Sequence, residues 1–466
     1  MARLSVAEAA RAVSGRVTAG DPGAWIEGAA IDSRAIRGGE VFFAFAGERT
    51  DGHRFVPDAL ARGAAAAVVQ EDLPTPPAGA LIRVDDTFKA LHDLARFARA
   101  RVPEKLVGIT GSAGKTTTKE LLAAILSSRF RTHWTPGNLN NLYGFPLSLL
   151  NVPDGTRWMV AEMGMSTPGE LRQLSLLGRP DVAVFTVVRP VHLEFFGTVQ
   201  AIAEAKSEIL AGLAPDGFIV ANADDPEVTR IAKRQGARVV WYGLNSENAD
   251  VRARDLAPEP DGAVGSRFTL QAGGQSVEVR LPLHGLYNVE NCAAAAACAW
   301  ALGMPLDEIA GAVRGVKPAS MRGVVHRAEG GFLLIDDSYN SNPDALGKAL
   351  ESAAAYPGER RVAVLGDMRE LGPEGPRFHR ESGERAARLG FSPVAGVGEL
   401  SRELVAGVQA SGAEAVWLPD AASASEWATR QVRRGDVVLV KASRGVGLDQ
   451  VVRTLLGDRG AGEGGH

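Results

Sequence analysis

The apolar run Leu106–Thr110 leads directly into Gly111-Ser112-Ala113-Gly114-Lys115-Thr116-Thr117-Thr118, after which a helical pattern continues through Leu126. A short apolar strand of this kind suits a parallel sheet buried on both faces. Glycines at 111 and 114 let the loop turn its backbone N–H groups inward around phosphate oxygens. The N-terminus of the following helix adds partial positive charge. Lys115 has the reach for β- and γ-phosphates, and the Thr116 hydroxyl suits magnesium. Ile109 stands where the full signature has its first glycine, so the match is to the shorter Thr-Gly-x-x-Gly-Lys-Thr form. The predicted cradle is Gly111, Ser112, Ala113, Gly114, Lys115, Thr116 and Thr117.

The same alternation of apolar, β-branched runs with helical patterns extends in both directions. Val41–Phe45, Ala65–Val69 and Ala80–Val84 read as strands, with helices over Val56–Arg62 and Thr87–Arg101. Trp158–Ala161, Val182–Val188 and Phe218–Ala221 read as buried strands, as do Arg361–Leu365, Ala415–Leu418 and Val437–Val440. Strands and helices at this spacing predict doubly wound α/β sheets. The stretch 250–283 alternates apolar and polar residues around Gly273-Gly274, which predicts a small antiparallel insert. Chain breaks at Val102-Pro103 and Lys317-Pro318 predict three domains, 1–102, 103–316 and 317–466, with a frayed end after Gly457.

Composition narrows the function classes. A length of 466 residues suits about three domains. Hydrophobic residues at 45% and charged residues at 23% exclude wholesale disorder. A net charge of −4 offers no basic excess for a nucleic-acid backbone. No apolar run approaches the roughly 18–20 residues of a membrane span. Met1–Val13 has no signal-peptide core, which predicts a cytoplasmic protein. Cys292 and Cys298 fall on different faces of one Ala-rich helix and cannot bridge each other.

Two further polar groups follow buried strands. Glu162, after Trp158–Ala161, is placed to serve a magnesium ion beside the phosphate loop. His192 and Glu194 follow Val182–Val188, where a histidine is either a ligand or a satisfied structural group. Asn222-Ala223-Asp224-Asp225 lacks the lysine of a guanine-reading motif and reads as a strand-end turn.

These residues resemble the Mur ligases of bacterial cell-wall synthesis, ATP-dependent amino-acid and peptide ligases. The resemblance spans nearly the whole chain. Its blocks are Thr110–Thr116, Gly137–Asn141 with Gly144-Phe145-Pro146, Ala161–Gly164, His192-Leu193-Glu194 and Ala205–Ile209. Gly285–Asn291, Asp336–Pro343, Leu365–Met368 with Glu370-Leu371-Gly372, and Lys441–Gly445 complete it. Tyr287, Val191 and Ala442 depart from the expected pattern, Tyr287 standing where a histidine usually precedes Asn288.

The resemblance implies a small N-terminal α/β domain, a central phosphate-loop domain with a mostly parallel sheet, and a Rossmann-like C-terminal domain. It points to the branch that joins D-alanyl-D-alanine to UDP-N-acetylmuramoyl-tripeptide through an acyl phosphate, in a monomer using ATP and magnesium. Lys115, Glu162 and His192 would then be catalytic, with Thr116 a metal ligand. Asn291, Arg322, Asp337, Tyr339 and Asn342 would contact nucleotide. Ser33, Arg34, Thr50 and His53 would hold the uridine diphosphate end, Asn140 and Asn141 the muramoyl portion, and Ser443 and Arg444 the incoming dipeptide. A folylpolyglutamate synthetase-like ligase shares the phosphate loop but does not need the Asp32–His53 block. A nucleotide-gated switch ATPase would make no amide.

Lys206 lies inside the apolar stripe Val199, Ile202, Ile209, Leu210 and Leu213 of a predicted helix. Its neighbours three and four residues away include no carboxylate. From the pattern alone it snorkels to solvent or meets a distant acid. The resemblance implies instead that it is carbamoylated, turning a cation into an anion that serves the metal.

Overall fold

The computed structural model describes residues 3–47, 50–71, 73, 79–101, 105–191, 193–259 and 264–457. The predicted seam at Val102-Pro103 and the tail beyond Gly457 lie outside the described residues. Two compact units are present: Met1–Thr110 with Leu126–Val184 and Ala205–Ile219, and Gly111–Ile125 with Phe185–Glu204 and Val220–His466.

The first unit opens with a five-stranded sheet in the order Arg16–Ala19, Ala80–Arg83, Ala66–Val69, Glu40–Phe43, Gly28–Ala30. Only the Arg16–Ala19 edge is antiparallel. Phe42, Val56, Leu60, Val69 and Leu81 form its core. Asp86 starts the helix Thr87–Arg99 by accepting from the N–H groups of Phe88 and Lys89. Further along, the strands Thr132–Trp134, Trp158–Glu162, Lys105–Thr110 and Val182–Phe185 lie side by side in that order. Trp158–Glu162 is wholly buried and runs parallel to both neighbours, as continuous apolar runs require.

Val182–Phe185 stops three residues short of the predicted Val188, although the apolar run continues. Thr186–Arg189 turns out of the sheet because its backbone and side chains are engaged by the phosphate loop. The helix predicted over Val199–Leu213 also ends early. It is α-helical over Val199–Ser207 and tightens to a 3-10 turn over Glu208–Gly212. Ser175 causes the change: its hydroxyl donates to the Ile209 carbonyl and accepts from the Gly212 N–H at 2.9 Å.

In the second unit Arg238–Gly243, Val251–Pro258, Ser266–Ala272 and Gln275–Leu281 are successive neighbours in one sheet. The expected antiparallel ribbon is present, with Leu270 opposite Val277 across the Gly273-Gly274 turn. It is not a detached insert, because Val251 pairs in parallel with Tyr242 and so extends the sheet. Helix Leu286–Ala301 packs against these strands. Ala293 to Ala297, Cys298 and Ala299 are fully buried, and such small side chains let the helix lie close to the sheet. Cys292 and Cys298 are free thiols.

The C-terminal sheet has the order Val324–Arg327, Leu333–Asp337, Asp436–Lys441, Arg360–Gly366, Phe391–Val397, Ala415–Leu418. All neighbours are parallel except the first pair. Its two faces carry separate cores, one including Leu346, Leu350 and Leu404, the other Ala424, Ala428 and Val451. This is the doubly wound arrangement expected from the alternation, and it sends ligand-binding groups to the carboxyl ends of the strands. No helix among the described residues is long and apolar enough to cross a membrane.

The close-packed alanine run gives a direct test. Ala296→Leu inserts three carbons where no surface is exposed, and overpacking of this kind costs roughly 1–3 kcal/mol. Chemical denaturation should show that loss, and an unchanged midpoint would contradict the packing described.

Candidate active site

The phosphate loop is built against Thr186–Arg189. The Ser112 N–H donates to the Val187 carbonyl at 2.7 Å. The Ser112 hydroxyl donates to the Arg189 carbonyl at 3.1 Å and accepts from the Arg189 N–H at 3.0 Å. Thr186 Oγ1 donates to the Ala113 carbonyl at 2.6 Å. A Cβ on Gly111 would sit 1.8 Å from Thr186 Oγ1, and one on Gly114 would sit 2.1 Å from Asn291 Oδ1. Both glycines also have positive φ, +149° and +83°, so a side chain is excluded by space and by backbone conformation. The Tyr242 hydroxyl, fully buried, bonds the carbonyls of Phe185 and Thr186 from behind. Helix Lys115–Ser127 starts at the lysine itself, and Lys115 Nζ donates to the Gly111 carbonyl at 2.9 Å. Thr116 is buried in the first turn.

The predicted nucleotide residues gather in the same unit. Asn291, on helix Leu286–Ala301, touches the loop at Gly114 and lies 3.5 Å from Thr118 Oγ1. A pocket lined by Thr117, Glu120, Asn288, Lys317, Pro318 and Arg322 joins the start of the phosphate-loop helix to the 316–322 segment. The Arg322 guanidinium lies 4.1 Å from the Tyr339 ring centre, a cation–π contact. The Tyr287 phenol approaches Gly323, and burial pushes its pKa well up, so it acts as a neutral hydroxyl there.

Asp337 ends the strand Leu333–Asp337, and its Oδ2 accepts from Lys441 Nζ at 2.6 Å. Lys441 also donates to the Asn340 carbonyl at 2.7 Å. Asn342 caps helix Pro343–Ala354 by accepting from the Ala345 N–H. Ser443 Oγ accepts from the Arg369 N–H at 3.0 Å and is buried. Arg444 is half exposed and pairs with Asp449 at 3.4 Å.

In the first unit Glu162 closes its strand with the carboxylate buried, and Asn140 Nδ2 donates to Oε1 at 2.6 Å. Asn141 Oδ1 accepts from the N–H groups of Tyr143 and Gly144, which shapes the loop. Lys206 is 3% exposed, within a stripe where Ile202, Ala203 and Ile209 show no surface. Ser33 is buried, Thr50 is exposed and accepts from the Gly47 N–H, and Arg34 forks onto the Asp32 carboxylate. His53 has both ring nitrogens engaged, Nδ1 with Asp51 at 2.7 Å and Nε2 accepting from the Gln70 N–H at 2.9 Å. His192 lies outside the described residues, and among those described no group of three His, Cys, Asp or Glu could hold a metal ion.

Residues 26–99 match the family model described as Mur ligase family, catalytic domain, and residues 109–299 the Mur ligase middle domain. Residues 321–444 match the Mur ligase, glutamate ligase domain. The UDP-N-acetylmuramoyl-tripeptide–D-alanyl-D-alanine ligase of Bacillus subtilis is 34% identical over 440 residues, covering 92% of this chain and 93% of that protein. This chain belongs to the Mur ligase family. Among solved structures, MurF from Acinetobacter baumannii superposes with a TM-score of 0.87 at 30% identity, covering 98% of this chain and 99% of that one. MurF ligase from Thermotoga maritima in complex with ADP gives 0.80 at 31%, covering 93% and 99%.

Several residues of this Mur ligase site carry no sequence signal of their own. Thr186 and Arg189 bond the phosphate loop from 73 and 77 positions away, and Tyr242 secures Thr186 from 56 positions further on, separations about which sequence periodicity has nothing to say. Glu208 accepts from the N–H groups of Gly169 and Arg172, capping the helix Glu170–Gly178. Glu208 and Lys441 stand within quoted motifs, Lys441 directly after a predicted strand, but no role is read for either.

The Gly111–Thr186 closeness is testable. Gly111→Ala must displace Thr186 or the loop, with strain of roughly 1–3 kcal/mol, or about fivefold to 150-fold in affinity. Calorimetric titration with ADP should show that loss, and wild-type affinity would contradict the geometry.

Proposed function

We infer that the chain joins D-alanyl-D-alanine to UDP-N-acetylmuramoyl-tripeptide, converting ATP to ADP and phosphate and forming UDP-N-acetylmuramoyl-pentapeptide for peptidoglycan. The observation that carries this reading is its similarity along 92% of its length to a ligase of that name. The match over residues 26–99 favours it over a folylpolyglutamate-type ligase, because it includes the Asp32–His53 block.

A carboxylate is a poor electrophile, so the tripeptide's terminal carboxylate first attacks the γ-phosphorus and ADP leaves. The amine of D-alanyl-D-alanine then adds to the acyl phosphate, giving a tetrahedral intermediate. Loss of a proton from nitrogen and of phosphate from carbon completes the amide. Transfer between anions is a matter of positioning and charge neutralisation. Lys115 and the loop N–H groups supply that charge at the phosphates. Asn291, Arg322, Asp337, Tyr339 and Asn342 hold the nucleoside; Arg322 lines the pocket and lies over the Tyr339 ring, which supports the reading for that pair.

Magnesium fits the oxygen donors available, since it needs only one or two carboxylates beside phosphate oxygens and water. Thr116, Glu162 and His192 are its proposed ligands, and the ion would screen the triphosphate's negative charge. A carbamate on Lys206 would orient it; the burial of that lysine supports this, because a desolvated amine is more readily neutral and open to carbon dioxide. Ser33, Arg34 and Thr50 contact the uridine diphosphate end, with His53 anchoring their loop. Asn140 and Asn141 serve the muramoyl portion, and Ser443 and Arg444 the dipeptide carboxylate. On this reading the enzyme is a cytoplasmic monomer whose domains are 1–102, 103–316 and 317–466.

Phosphate release should require both acceptor and dipeptide, and mass spectrometry should find the pentapeptide product. Release with neither present would instead indicate a switch ATPase. Lys115→Ala should melt normally yet lose roughly 100-fold or more in turnover. Lys206→Ala should be partly restored by short carboxylates, whereas a fully active Lys206→Arg would exclude the carbamate, since guanidinium cannot form it.

A further inference from the structure

Arg189 makes two sets of contacts. Its backbone exchanges hydrogen bonds with Ser112 in the phosphate loop. Its guanidinium Nη1 donates to Asp225 Oδ2 at 2.6 Å, and its Nε lies 3.5 Å from Asp344 Oδ1. Asp225 is almost wholly buried and fixed twice over, because it also caps helix Pro226–Lys233 and accepts from the Val188 N–H. Asp344 stands in the first turn of helix Pro343–Ala354, two residues after Asn342 and seven after Asp337.

A second tie starts from the same turn. Lys348 Nζ lies 3.4 Å from Asp344 Oδ2 and 3.5 Å from Glu290 Oε2. Glu290 is held by Asn222 at 2.8 Å and immediately precedes Asn291, whose amide touches the loop at Gly114. Asp344 Oδ2 accepts no hydrogen bond among the described residues, so charge alone holds that end. Both ties therefore run from the helix following the nucleoside segment to the two sides of the phosphate loop.

We propose that Arg189 and Asp344 are positioning residues that set the spacing between the phosphate loop and the Asp337–Asn342 segment, so that one nucleotide can engage both. This rests on the nucleotide reading of those two segments. Neither side chain touches the ligand; each acts through the backbone it carries. Their pair is 28% and 27% exposed, and partly exposed pairs add little to folding. Its effect should appear in nucleotide affinity rather than in melting.

The test is calorimetric ADP binding with steady-state kinetics on wild type, Asp344→Asn, Arg189→Lys, Arg189→Ala and the Arg189→Ala/Asp344→Asn pair. Asp344→Asn keeps the shape and should keep the melting temperature. It should weaken ADP binding by about threefold to tenfold and raise KM for ATP with kcat little changed. The double variant should lose less ADP affinity than the product of the two single losses, because the Arg189–Asp344 contact is shared between them while the Lys348 tie is not. In 1 M salt, where screening reaches about 3 Å, the difference between wild type and Asp344→Asn should shrink. Arg189→Lys, which retains a charge for Asp225, guards against a variant that merely misfolds, and it should resemble Asp344→Asn. Unchanged ADP affinity in Asp344→Asn, or losses in the double variant that multiply in full, would overturn the proposal alone. Absence of ADP binding to the wild type would overturn the nucleotide reading and the proposal with it.

Discussion

Thr186 and Gly111 leave no room between them for a single carbon atom, and the phosphate-binding half of the chemistry depends on that closeness. A phosphate cradle works when its N–H groups already point inward before the ligand arrives. Here the loop does not hold that shape by its own hydrogen bonds alone. Ser112 and Ala113 are tied to a segment that has left its sheet, and Tyr242 secures that segment by its carbonyls. The strand stops at Phe185 so that the next residues can serve as scaffold.

At the C-terminal strand ends the logic is electrostatic. Asp337 and Lys441 come from neighbouring parallel strands, and the lysine is buried. Removing two charges from water is costly unless they are paired and further hydrogen-bonded. Lys441 meets that condition by also binding the Asn340 carbonyl, which fixes the turn leading to Asn342. The carboxylate thus has a defined direction.

Much of this was legible from local pattern. Strand, glycine loop, lysine and helix coincide over residues 105–127, and the parallel C-terminal strands were readable because both their faces are buried. Asn342 before Pro343 is a helix start by residue type alone. The stripe around Lys206 by itself pointed to a lysine that snorkels to solvent or meets a distant acid, whereas the residue is buried. What stayed hidden depends on tertiary partners. Nothing in Val182–Val188 says that its last residues turn away, because the cause sits at Ser112. The 3-10 ending after Ser207 is imposed by Ser175. His53 looked available for a ligand, yet Asp51 and Gln70 take both of its nitrogens.

The alanine-rich helix has a practical side. Its two cysteines lie with no exposed surface, and burial pushes the Cys292 thiol up to about 12 and Cys298 higher still. Thiolate, the form that reacts with maleimides and peroxides, is therefore scarce at both. The folded chain should therefore react with such reagents at neither native cysteine. New cysteines on exposed helices could be tagged with dyes or spin labels, leaving the native pair in place.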